Sequence, residues 1–167
     1  MSLCNTIEQK LNQPDLAYLL LRMVFGGAII LFGIQKLMGG SATFEQIGGS
    51  MAYFGVTKYP ALWGFLSALA ETFGGIFIVL GVLFRPAALA LFFNMVVACT
   101  FMFKLTGSPD LSSIGALTGW IGKVSMPVAF CTAFLALFFT GAGKYAVRMS
   151  GGGSGGKRSK SKGGSGD

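Results

Sequence analysis

The sequence predicts an all-α integral membrane protein: a four-helix bundle in the bilayer with both termini on the same, cytoplasmic side. Three observations predict it. The first is composition: 53% of the 167 residues are hydrophobic and 11% charged, where a soluble domain carries roughly 25% charge. Mean hydropathy is +0.67. The second is length, because four apolar runs each approach the ~20 residues that cross a ~30 Å hydrocarbon core. The third is pattern. The runs do not alternate as barrel strands do, which leaves helices as the spanning elements. One domain, residues 16–148, accounts for all four runs, with a short cytoplasmic segment, 1–15, before it and a tail, 149–167, after it.

The first span is expected from Leu16 to Met38 and carries Arg22, Gln35 and Lys36. In the connection that follows, Phe44, Ile47, Met51 and Phe54 recur at helical spacing after Ser41, which predicts a short interfacial helix capped by that serine. The second span is expected from Leu62 to Phe84, and Glu71 is its only charge. Arg85-Pro86 then makes a tight hairpin into the third span, Pro86 to Phe103, whose one strongly polar residue is Asn94. Gly and Ser enrich 106–123, which reads as a connection hugging the membrane through Ile114, Leu117, Trp120 and Ile121. The fourth span is expected near Val124 to Ala142, with Pro127 in its first turn, where a missing N–H does little harm.

Charge sets the orientation. Lys10, Arg85, Lys144, Arg148 and the tail cations Lys157, Arg158, Lys160 and Lys162 fall on the side of the termini. Lys36, Lys58, Lys104 and Lys123 fall on the other. The positive-inside rule then places both termini in the cytoplasm. Without the tail the two sides are level, so the assignment leans on the tail and on Arg22. Tyr53, Tyr59, Trp63 and Trp120 would form an aromatic belt on the far side. No cleavable signal peptide is expected, because the first span is too long for one and no small-residue cleavage site follows it. From Ser150 onward the tail contains only Ser, Gly, Lys, Arg and Asp, the composition of a disordered segment. It fits either an appended linker or a native arm drawn to anionic lipid.

Several chemistries are excluded. The chain has no histidine, which removes His-ligated haem and most zinc or di-metal sites; no metal site is expected. Outside the tail the basicity is modest and implies no nucleic acid partner. The cysteines Cys4, Cys99 and Cys131 form no C-x-x-C and no disulfide framework. Cys99 and Cys131 fall at similar depths on adjacent spans, so a redox pair is one reading and two small hydrophobes the other.

The polar residues that remain gather in one constellation. An ionised carboxylate in hydrocarbon costs several kcal/mol, so an intramembrane Glu normally faces the bundle interior, finds a partner or titrates. Residues at i, i+4, i+7 and i+11 share a helix face. That rule groups Arg22, Gly26, Ile29, Gly33 and Lys36 on the first span, and Ser67, Glu71, Gly74, Ile78, Gly81 and Arg85 on the second. Small residues let membrane helices approach closely, so the two stripes should face each other with Glu71 between them. At 1.5 Å per residue, and with spans flush at the membrane surface, Glu71 lies roughly 19 Å from the cytoplasmic end, Arg22 roughly 9 Å and Lys36 roughly 30 Å. Both cations are then about 10 Å from Glu71 in depth. Gln35 and Asn94 could also donate, and a shared network is expected rather than a single pair. Arg22, Lys36 and Arg85 also suit snorkelling anchors, and Glu71 also suits a structural lock between helices.

Three motifs resemble the DoxX family of small four-helix membrane proteins. L-L-R-M-V-F-G-G-A-I-I-L-F-G-I-Q-K-L at Leu20 to Leu37 resembles the family's first span. A-L-A-E-T-F-G-G-I-F-I-V-L-G-V-L-F-R-P-A-A at Ala68 to Ala88 resembles its E-x-x-G-G pattern and the R-x-A-A that opens the third span. T-G-A-G-K-Y-A-V at Thr140 to Val147 resembles its T-G-x-G-[KR]-[YW] end. The chain departs in having Arg148 where Asp is frequent, and Lys104 near where many members carry His. The resemblance implies Arg22, Lys36 and Glu71 as the matching polar positions, with Gly74 and Gly75 as packing positions. It also implies a quinone- or thiol-linked redox context in a bacterial inner (plasma) membrane.

The first functional expectation is therefore the membrane subunit or anchor of a redox assembly. It would hold no intrinsic cofactor, meet quinone in an apolar slot, and receive electrons from a soluble partner enzyme. Homo-oligomers are compatible with such a subunit. A non-enzymatic scaffold for soluble partners and a small-solute or proton permease are the alternatives, the latter because an intramembrane Glu suits it equally well.

Overall fold

A computed structural model describes residues 14–109 and 111–147. The expected N-terminal segment, the tail, Cys4 and Arg148 lie wholly or mostly outside that range. The described chain is all-helical: α1 (Pro14–Met38), α2 (Gly40–Gly48), a 3-10 turn (Gly49–Phe54), α3 (Pro60–Leu80), α4 (Phe84–Thr106) and α5 (Ile114–Thr140). Four of these, α1, α3, α4 and α5, are long and apolar enough to cross a membrane.

The helices pack as two close pairs, α1 on α3 and α4 on α5, joined where α3 meets α4; α1 and α5 meet more loosely, through Phe25 and Phe32 against Phe130. Ile29, Ile78, Leu91, Phe134 and Leu137 fill the shared core. Large apolar side chains such as Leu31, Ile114 and Phe139 stand exposed on the outside, as lipid-facing bulk should. One end of the bundle, the terminal face, carries the start of α1, the α3–α4 turn and the end of α5. There Lys144 N donates to Asp15 Oδ1 and Val147 N to Leu80 O. The opposite end, the loop face, carries the α2–α3 and α4–α5 connections.

Three expectations about elements need correction. The 40–54 segment is not one helix capped by Ser41. Gly39 holds the N-cap without a side-chain bond, and the chain tightens into a 3-10 turn after Gly48. Nor does it simply lie on the surface. It runs along α3, with the Gly48 backbone against Pro60 and Gly64 and the Gly64 backbone against Phe44. The α3–α4 hairpin turns at Gly81–Leu83 rather than Arg85-Pro86. Gly81 takes the left-handed conformation that ends α3, and Arg85 and Pro86 already belong to the first turn of α4. α5 starts about three turns earlier than expected, at Ile114, where Ser113 caps it by accepting from Ala116 N. Pro127 is therefore inside the helix. Gly115, Gly119 and Gly122 gave this stretch its loop-like composition, but glycine is far better tolerated in membrane helices than in soluble ones.

Candidate functional site

The site begins with the break between α1 and α2. α1 stops at Met38, short of the loop face, and α2 continues along the rest of α3. The α1–α3 register is set by small residues. Gly26 lies over Gly75 and Val79, and Gly33 over Ala68 and Thr72. That register puts Lys36, one turn beyond Gly33, near Ser67, one turn from Glu71 and within reach of its side chain. The expected depth gap of about 10 Å shrinks to about 6 Å, and the long Lys36 side chain bridges it as expected. Packing also corrects the α3 stripe. Ala68, Thr72, Gly75 and Val79 face α1 together with Ile78 and Gly81 of the expected stripe, while Gly74 faces Leu91 of α4. Glu71 lies between the two contacts and is 1% exposed.

One Glu71 oxygen is saturated. Oε1 accepts from Lys36 Nζ at 2.5 Å and from Asn94 Nδ2 at 2.8 Å, so α1, α3 and α4 meet on a single atom. The expected shared network exists, with Lys36 as its cation. Neither Arg22 nor Gln35 belongs to it: the Arg22 donors go elsewhere, and Gln35 is exposed. The other oxygen, Oε2, is buried without a hydrogen-bond partner. An unpaired buried acceptor costs roughly 1–3 kcal/mol, more when charged. Such a group calls for an explanation, and a missing ligand is one.

Glu71 lines a cavity of about 420 Å³. α3 supplies Trp63, Leu66, Ser67, Ala70 and Glu71; α4 supplies the face from Ala90 to Met102; α2 and the 3-10 turn roof it with Ile47, Ser50 and Met51. The lining is apolar apart from Lys36, Asn94, Ser50, Ser67 and the Trp63 ring nitrogen. Ser50 is spent on Ile47 O. Volume and chemistry match the usual small-molecule pocket of ~300–1,000 Å³ with a few convergent polar groups. The roof residues were not legible as site residues in the sequence. They sit in a connection whose course depends on two glycine-to-backbone contacts.

Arg22 forms a separate cluster at the terminal face. It is 1% exposed, so it is no snorkelling anchor. Nε donates to Ile78 O at 2.9 Å, Nη2 to Val79 O at 2.7 Å and Nη1 to Ala142 O at 2.7 Å, while the guanidinium lies over the Phe84 ring. The two α3 carbonyls belong to its last turn, where no backbone donor remains for them. Arg22 thus caps α3 from α1 and ties in the segment after α5. A Cβ at Gly81 would lie 2.6 Å from Nη2, which fixes glycine there. Arg85 is exposed and joins neither cluster. Cys99 and Cys131 are free neighbours across the α4–α5 contact. Among the described residues no group of His, Cys, Asp or Glu could hold a metal ion.

The DoxX family model matches residues 17–105, more than half of the chain, covering α1 through nearly all of α4. The resembling Thr140–Val147 segment falls beyond that match. No curated protein and no solved structure matches the chain. The match covers Arg22, Lys36, Glu71 and Asn94, the residues of both polar clusters and of the cavity floor, and this four-span membrane protein belongs to the DoxX family.

Proposed function

We propose that the protein is the membrane subunit of a redox assembly and that its cavity receives the head of a lipid-soluble quinone. The observation that carries this reading is that Glu71, whose buried Oε2 has no hydrogen-bond partner, lines an apolar cavity. A quinone carries electrons as two-electron, two-proton chemistry between its carbonyl and hydroxyl forms. The residues suit both forms. Oε2 accepts from a hydroxyl, and the remaining N–H groups of the Lys36 ammonium donate to a carbonyl. Glu71 takes or returns one proton within hydrogen-bond reach of the head. Ala90, Phe93, Val97 and Phe101 offer apolar contact to ring and tail. Electrons pass to or from a partner protein, in a bacterial inner membrane where we place both termini in the cytoplasm by the charge bias.

Trp63 lines the cavity and the second tryptophan, Trp120, does not. In a Trp120→Phe background, a short-chain quinone should quench Trp63 fluorescence saturably in detergent. Ser67→Leu, which puts bulk into the cavity, should weaken binding by about tenfold or more, the equivalent of 1.4 kcal/mol. Quenching that does not saturate, or that ignores Ser67→Leu, would sink the reading.

A further inference from the structure

We propose that the Glu71 carboxyl exchanges protons with the loop face alone, which makes proton movement at the cavity vectorial. The inference rests on the reading above in one respect only, that Glu71 takes up and releases a proton. Its structural basis is the asymmetry of what lies on either side of that residue.

Toward the loop face the cavity continues. Its α4 wall runs from Asn94 to Met102, about 12 Å at 1.5 Å per residue, and stops about 6 Å short of the helix end at Thr106. On α3 it reaches Trp63, in the first turn. Polar atoms mark the same direction. Ser67 is one turn from Glu71 on that side, and the Lys36 side chain is 24% exposed. A water in a cavity needs two to four polar partners, and Oε2, Lys36 and Ser67 provide them.

Toward the terminal face the packing next to Glu71 is tight, and the second cavity there, about 410 Å³ between α1 and α5, is not lined by Glu71. A Cβ at Gly74 would already lie 3.0 Å from Leu91 Cγ, and one at Gly75 2.7 Å from Ile29 Cγ2. Beyond them Ile78, Leu91 and Phe134 are fully buried, and Arg22 seals the end with all three of its donor nitrogens on carbonyls. On that side the cavity lined by Glu71 reaches only Ala90, one turn of α4 past Asn94.

The groups facing Glu71 are few. α1 offers Lys36, α4 the neutral Asn94, and α2 and the 3-10 turn no charged side chain; Glu45 is exposed and off the lining. The step is therefore simple. A hydronium at the cavity gives its proton to Oε2 and leaves water.

The test uses the whole chain in sealed phosphatidylcholine–phosphatidylglycerol vesicles with inner and outer pH set independently. Dicyclohexylcarbodiimide, a lipid-soluble reagent that adds to protonated carboxyls, reports the protonated fraction of Glu71 by mass spectrometry. Brief trypsin treatment afterwards removes the basic tail from chains whose termini face outward, so both orientations are read in one sample. Adduct formation at Glu71 should rise about tenfold for each unit the pH falls on the loop face, the mass-action limit for one proton. It should be indifferent to the terminal face. Ser67→Cys, in a chain with Cys4, Cys99 and Cys131 replaced by Ala, should react with a charged methanethiosulfonate added on the loop face only. Labelling that follows the terminal face, follows both faces equally, or never occurs at Glu71 overturns the inference. Trp63 quenching on the same preparation reports the quinone reading separately, so either can fail without the other.

Discussion

At the residue scale, Glu71 and Lys36 are one unit. Removing one partner of a buried pair leaves an uncompensated charge and costs about 3–5 kcal/mol, whereas replacing both with apolar residues is often neutral. Glu71→Ala and Lys36→Met should each lower the unfolding midpoint in detergent more than the double variant Glu71→Leu/Lys36→Met does. Additive losses would show that the two do not act as a pair. Glu71→Gln keeps an acceptor for Lys36 and Asn94 but leaves the ammonium facing a neutral amide, so it should fall between Ala and the parent chain. Arg22 behaves differently, because its partners are carbonyls. Arg22→Lys keeps the charge but cannot span Ile78 O, Val79 O and Ala142 O together. Losing one or two charge-assisted bonds of about 1.5–3 kcal/mol each should show as lower thermal stability, with quinone quenching unchanged.

At the scale of elements, glycine placement decides how helices approach. A Cβ at Gly33 would sit 2.6 Å from Thr72 N, and one at Gly48 would collide with the Pro60 carbonyl. These obstacles are backbone and cannot move aside. Gly33→Ala and Gly48→Ala should therefore each cost about 1–3 kcal/mol through overpacking. Gly27→Ala on α1 meets nothing within 4 Å and should be neutral or slightly stabilising. Equal melting of all three variants in detergent would contradict this register. Gly48→Ala carries a second expectation. It shifts the α2 roof, so it should weaken Trp63 quenching as well as stability, while Gly33→Ala acts on the pair below.

At the scale of the whole molecule, four spans put residues 108 and 150 on opposite sides of the membrane. Reporter fusions after Ser108 and Ser150 should read opposite compartments, with Ser150 cytoplasmic by the Lys and Arg bias. A periplasmic signal at Ser150 would reverse the orientation and, with it, the side to which the cavity opens. The bundle is also unequal inside. The terminal half holds the Arg22 clasp and an apolar cavity between α1 and α5, and the loop half holds the cavity lined by Glu71. Amide exchange in α2 and the 3-10 turn should accordingly outpace exchange at Ile78 and Leu91, because thin packing lowers the cost of local opening.

The sequence by itself determined the membrane class, the four spans and the residues that must be accounted for. Hydropathy and length are local properties, and a charge in hydrocarbon announces itself by its cost. The α1 stripe of Arg22, Gly26, Ile29, Gly33 and Lys36 was legible for the same reason, since helical periodicity is local. Which cation meets Glu71, and that Arg22 turns to carbonyls instead, depended on the axial offset between α1 and α3. That offset is set by Gly26 and Gly33 seating on backbone, and nothing within either helix encodes it. The cavity beside Glu71 and its unpaired oxygen arise from five separate segments meeting at one place. Only the tertiary structure decides them, because an empty space is a property of what surrounds it.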